Sequence, residues 1–187
     1  MSSSFDHKAL QFGEPVTSGK GAKSVGVTSN GKPIVWQPDA QEIAFEPGSF
    51  SGEEVSRVNL VMRASALALQ ELSALDEYIV ELASLESTKL FGKSITKEEV
   101  RLRYSPCLKV SEKYPSTFKA KMNMSGRSEV RIWNEEKQPR KEPVSWVHCT
   151  VVPKLTFKGL WLMSKEFGCL FEATDLMLTE ASVECPF

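Results

Sequence analysis

The sequence predicts a mixed α+β fold, mainly antiparallel β, in which several short strands make a small barrel or curled sheet beside one long amphipathic helix and a short second helix. Three observations lead there. Apolar residues recur three or four apart from Val55 to Leu82, they alternate with polar residues around Phe118, and strand-like runs with brief turns fill residues 146–178. At 187 residues with 41% apolar content the chain can supply one core.

Residues 1–33 are rich in Ser, Gly and Lys and show little apolar periodicity, so they are expected to form a flexible N-terminal arm. The stretch GVTSNGKP at 26–33 has the glycine spacing and Lys32 of a phosphate loop. Pro33, however, replaces the hydroxyl that would hold magnesium, and no helix follows. PIVWQPDAQEIAF at 33–45 reads as two extended segments joined at Pro38 and Asp39. The long helix is expected to start with Glu53 and Glu54 in its first turn and to run to about Leu85, its stripe made by Val55, Val58, Met62, Leu69, Leu72, Leu75, Ile79 and Leu82. No Gly or Pro interrupts it. SITKEEV at 94–100 has a capping start, which predicts a short helix from about Thr96 to Tyr104, ended by Pro106.

After that helix the period changes to two. Phe118, Ala120 and Met122 take one face of a strand, with Lys119, Lys121 and Asn123 on the other. A turn at Gly126 would return the chain as a basic hairpin, Val130 and Ile132 facing inward and Arg131 and Trp133 outward. Residues 134–143 form a charged loop. Three strands then follow, at 146–152, 155–163 and 167–178, with Lys154, Thr156 and Lys158 on one face and Leu155 and Phe157 opposite. Alternation fails near Thr174 and Asp175, the mark of a bulge. Residues 34–179 are read as a single domain and residues 180–187 as a short tail.

Composition restricts the chemistry. The four cysteines, Cys107, Cys149, Cys169 and Cys185, stand singly without a CxxC pair, so neither a metal site nor a disulfide framework is predicted. His7 and His148 are the two histidines, and His148 beside Cys149 on a strand would face the opposite way. Catalytic residues, metals and cofactors are therefore not expected. The chain holds no apolar run of membrane-spanning length and no apolar leader, so it is expected to be soluble and intracellular, without a membrane partner.

Charge points to the partner. Residues 89–141 carry 14 Lys and Arg against 6 Asp and Glu, a balance of +8, while the whole chain stands at −1. A positive field confined to one region attracts a polyanion, and rings threaded through it suit unpaired bases that can stack. The phosphate-binding candidates are Lys109, Lys113, Lys119, Lys121, Arg127, Arg131, Lys154 and Lys158; the stacking candidates are Tyr114, Trp133 and Trp146. Trp161 and Phe171 are read as core, and Arg101 and Arg103 either pair with Glu98 and Glu99 or touch the ligand.

Four stretches carry a family resemblance: LDEYIVELAS at 75–84 with KLFGKSITKEEVRLRYSPCLK at 89–109, YPSTFKAKM at 114–122, and FKGLWLMSKEFGCLFEATDLML at 157–178. In their order and separation the chain resembles the single-stranded-DNA-binding proteins of large double-stranded DNA viruses and related tailed phages. Residues 1–50 carry none of it. The resemblance implies a five-stranded oligonucleotide-binding (OB) barrel decorated by helices and a largely sequence-independent role in replication or recombination, at the site of genome replication in a host cell. It also implies an acidic tail ending in an aromatic residue that recruits protein partners. Here Glu180, Glu184 and Phe187 supply it, with fewer acids than the family pattern. RNA as a second ligand and a homo-oligomer stay open, and the alternative reading is a structural or virion assembly protein without a nucleic-acid role.

Overall fold

The computed structural model describes residues 6–19, 21–48 and 56–180. In chain order a short 3-10 turn at His7–Ala9 leads into β1 (Leu10–Thr17), β2 (Lys23–Ser29), β3 (Ile34–Trp36), β4 (Gln41–Ile43) and β5 (Arg57–Arg63). The helices α1 (Ala66–Leu85), α2 (Ser87–Phe91) and α3 (Lys97–Arg103) follow, then β6 (Tyr104–Ser105), β7 (Thr117–Asn123), β8 (Arg131–Trp133), β9 (Thr150–Leu162) and β10 (Phe167–Thr179). All ten strands join one sheet, mostly antiparallel, with β6, β7 and β8 running parallel to β10. The mixed α+β class is as the sequence predicts.

The two 13-residue strands β9 and β10 pair along their whole length and carry the rest. On its other edge β9 takes β4, β3 and β2 in turn, while β10 takes β8, β7 and β6. Pairing therefore runs from β9 through β4, β5, β7 and β10 back to β9, a closed circuit. Inside it the rings of Trp36, Phe118, Phe157 and Phe171 meet, with the last two stacked 4.9 Å apart. The Trp36 indole donates at 2.7 Å to Glu71 of α1, which ties the helix to this core.

Several sequence expectations need correction. The long helix starts at Ala66, because Val58, Leu60 and Met62 are buried alternately and the segment before Ser65 is strand β5. Val58 and Met62 fit either a three-to-four period or an even one, and Leu60 between them decides for a strand. Glu53, Glu54 and Val55 lie outside the described residues. The helix does bury one stripe, Ala68, Leu72, Leu75, Ile79 and Ala83. Its start is fixed by a polar cluster: Ser65 Oγ accepts from the Ala68 amide and donates to Asp39 at 2.6 Å, while buried Gln41 accepts from the Ser65 amide.

Residues 1–33 are not an arm throughout, since β1 and β2 pair with each other and β2 joins β9, burying Leu10, Phe12, Val25 and Val27. The 26–33 stretch is the end of β2 followed by a turn at Asn30 and Gly31, both at positive φ, with no helix after it. The basic hairpin is not paired as such. β7 and β8 both lie along β10, at Glu172–Ala173 and Asp175–Met177, so the turn at Gly126 is an excursion between two successive pairings. The strands expected at 146–152 and 155–163 are replaced by one, β9, from Thr150. Pro153 is accommodated because it falls between the β4 and β3 pairings on that edge, where no ladder bond is required of it. The short helix holds as predicted, with a full Thr96–Glu99 capping box.

Close crossing of β2 over β9 depends on Gly159. It sits at φ 133, and a Cβ there would stand 2.0 Å from the Val25 carbonyl oxygen. Gly159→Ala is expected to cost at least about 2 kcal/mol in urea unfolding, from backbone strain and collision together. Gly26→Ala, where a Cβ meets nothing within 4 Å, should change stability by no more than about 0.5 kcal/mol.

Candidate nucleic-acid interface

The outward face of the closed circuit collects the cations. On β7 the inward residues are Phe118, Ala120 and Met122, so Lys119 and Lys121 point out. Lys121 stands opposite Asn59 of β5 on one side and Glu172 of β10 on the other. Glu172 is in turn opposite Thr156 of β9, and Thr156 opposite Val35 of β3. One level along, Asp175 of β10 lies between Arg131 of β8 and Lys154 of β9, and beyond it Met177 lies between Trp133 and Val152. Residues directly across a ladder share a face, so Lys119, Lys121, Arg131 and Lys154 belong to one surface.

On this surface the acids are matched. Glu172 pairs with Arg57 at 2.9 Å, Asp175 accepts from Arg131 at 2.8 Å, and Glu42 binds both Arg63 and His148. Lys119, Lys121, Lys154 and Lys158 make no ion pair with any described residue, so they supply uncompensated charge. Burial holds the Lys121 ammonium below the ordinary lysine value, and repulsion from Arg57 and Lys119 adds to the shift. A phosphate placed among these three groups would relieve that repulsion.

The remaining candidates flank this face. An antiparallel bridge to Thr117 puts Lys109 on the same side as Lys119. Lys113 and Tyr114 stand in the loop before β7, where Tyr114 is 73% exposed, and Arg127 is exposed in the loop after it. Lys158 is outward on β9. Trp146 does not belong to the site: it is only 5% exposed, sealed where its own amide and that of Val147 donate to Glu46. A buried indole offers no face to a base. Glu184 and Phe187 lie outside the described residues.

Trp133 is half-buried, and its indole N–H donates to Asp175 at 3.1 Å, which orients the ring beside Arg131. With Val152 and Met177 it forms the apolar side of a cleft of about 310 Å³, and Lys137 and Lys154 also line it. That is room for a flat aromatic group with cations at hand. Arg57 and Asn59 also face this surface although the helical period from Val55 covers them; alternation of Val58, Leu60 and Met62 is the signal in the sequence that marks their strand.

Arg101 is engaged by Glu77 of α1 through two hydrogen bonds of 2.7 Å, rather than by Glu98 or Glu99, and Arg103 lies over the Phe91 ring. His148 bonds Glu42 while the Cys149 thiol donates to the Ser145 carbonyl, so they do not form a base–nucleophile pair. Among the described residues no group of three or more His, Cys, Asp or Glu is placed to hold a metal, and no helix is long and apolar enough to cross a membrane.

The fold is similar to that of a phage single-stranded-DNA-binding protein. The crystal structure of gp2.5, encoded by bacteriophage T7, matches 81% of this chain and 91% of its own with a TM-score of 0.50 at 11% identity. Two structures of the single-stranded DNA-binding protein of bacteriophage Enc34 are also similar. The complex with single-stranded DNA covers 90% of this chain and 96% of that one, at TM-score 0.47 and 9% identity; the C-terminal truncation covers 92% and 96%, at 0.49 and 10%. No protein-family model and no curated protein matches the sequence.

The Asp175 carboxyl titrates below its ordinary value: burial alone would raise it, but hydrogen bonds from Arg131, Trp133 and Thr174 more than offset this. A depressed carboxyl contributes stability that is whole above its unfolded value near 3.8 and is lost as pH falls through the folded value. Urea unfolding measured from pH 5 downward should therefore show a decline below about pH 4 that is shallower in Asp175→Asn.

Proposed function

We propose that this chain is a single-stranded DNA-binding protein that takes up strands with little regard to sequence. The observation that carries the reading is the outward face around β10. Its carboxylates are matched by arginines, its lysines are left over, and an aromatic cleft opens between them. Lysines without partners bind phosphates by releasing counterions, and rings accept bases of any identity, so this combination favours unpaired strands over duplex. The closed circuit of β4, β5, β7, β9 and β10 supports its description as a five-stranded OB barrel, with α1 packed on its core. The shared fold with gp2.5 agrees with this reading.

In this proposal Lys109, Lys119, Lys121, Arg131, Lys154 and Lys158 track the backbone. Lys113 and Arg127 extend the track at either end of β7, and Tyr114 and Trp133 stack. The biological setting is replication or recombination, where single strands need protection, and the tail with Glu184 and Phe187 is the proposed contact for other proteins. No chemical step on the strand is assigned to the protein.

Binding of a deoxythymidine oligomer should weaken steeply between low and moderate salt. Lys119→Glu with Lys121→Glu should lower affinity and reduce the slope of log K against log salt by at least about 1. The wild-type protein failing to bind the oligomer at low salt, or binding duplex more tightly, would overturn the reading.

A further inference from the structure

We propose that Trp161, on the hairpin of β9 and β10, is a second stacking platform for a nucleobase. Strict alternation from Leu155 and Phe157 would turn position 161 into the core. A bulge prevents it. The β9–β10 register shifts at Lys158, so the outward positions are 154, 156 and 158, and then 161. The bulge is held by Gly159, whose positive φ and close approach to Val25 admit no side chain. Phe171, the other aromatic of this hairpin, stays buried.

Around the indole the sheet is lined with small residues. Trp161 pairs with Ser24 of β2 and with Gly168 of β10, and Gly168 pairs with Ser105 of β6. A Cβ on Gly168 would stand 2.7 Å from Cζ2 and 3.0 Å from Cε2 of Trp161, and 2.9 Å from the Ser105 carbonyl oxygen. Two adjacent ring atoms over one Cα mean that the indole lies across the glycine, with no side chain beneath it. One ring face is supported by backbone, and Trp161 remains half-buried rather than buried. Its N–H has no acceptor among the described residues, yet it is not among their buried unsatisfied atoms, so it reaches solvent. Every other tryptophan is either buried or, like Trp133, has its N–H bonded.

What this platform fits is a flat ring on an anionic chain. Lys158 and Lys154 stand outward on the same strand without ion pairs to described residues, so a phosphate backbone following β9 would bring a base over the indole. The inference rests on the proposed function and adds a residue that sequence reasoning assigns to the core.

The experiment compares a deoxythymidine oligomer with an abasic oligomer of equal length, using the full chain. Trp161→Ala should weaken the thymidine oligomer by about 5- to 100-fold, leave the abasic oligomer unaffected, and keep the salt slope. Trp161→Phe should restore most of the affinity. It should also lack a component of tryptophan quenching that the wild type shows on binding, which keeps the test open if the alanine variant does not fold. Unchanged affinity in Trp161→Ala, or the same quenching in Trp161→Phe, overturns the platform while the basic face stands. Wild-type protein that binds neither oligomer overturns both.

Discussion

The pairing of β9 with β10 is the constraint on which the molecule depends. Each strand has one edge committed to the other over its full length, and the remaining edges receive six further strands in short pieces. Pieces as short as β3, β4, β6 and β8 could not persist alone, since two or three ladder bonds do not repay the entropy of ordering them. They are held because β9 and β10 are long, paired to each other throughout and buried on one face. The residues offered to a ligand inherit that order. Lys121, Arg131 and Trp133 are placed by their register against β10, and Lys154 and Lys158 lie on β9 itself.

Electrostatics on the outward face divides by residue type. Arginines are spent on carboxylates, Arg57 on Glu172, Arg63 on Glu42 and Arg131 on Asp175, the last through both carboxylate oxygens as suits a planar fork. Such pairs are partly exposed, so each adds little to stability. Their effect is to remove acids that would otherwise repel a polyanion and to hold the side chains still. Asp175 does this twice, because it also fixes the Trp133 ring. Lysines, with compact charges on flexible stems, are left without ion-pair partners among the described residues, which is what the proposed contact with a phosphate backbone requires of them.

Much of this was readable in the sequence where local pattern and tertiary pairing agree. The Lys119 and Lys121 strand, the outward Lys154 and Lys158, the Thr96 cap and the bulge at Thr174 all follow from alternation or capping chemistry within a few residues. The failures have a common origin. Val58 and Met62 satisfy two periods at once, and the alternation that Leu60 completes is fixed as a strand by pairing with β7 and β4. Trp146 follows the charged loop in sequence, yet Glu46, a hundred residues away, accepts from its amide and that of Val147 and the ring is buried. β1 and β2 resemble a linker in composition, and they become strands only through pairing with each other and, for β2, with β9. Sequence separation hides each of these partners.

The two bulges show why a site can be invisible while its scaffold is legible. One extra residue on β10 at Thr174 and one on β9 at Lys158 each reverse the facing of the residues C-terminal to them. The first brings Asp175, and after it Met177, to the outward side, where they meet Arg131 and Trp133; the second brings out Trp161. Without them, two uninterrupted alternating strands would pair perfectly well, and both would turn these residues toward the core. A regular sheet would lose nothing in hydrogen bonding by this. The departures from regularity therefore set both faces at once, since the same shifts turn Leu160, Leu162, Leu176 and Leu178 into the core, and both lie on the one pair of strands along which six others align.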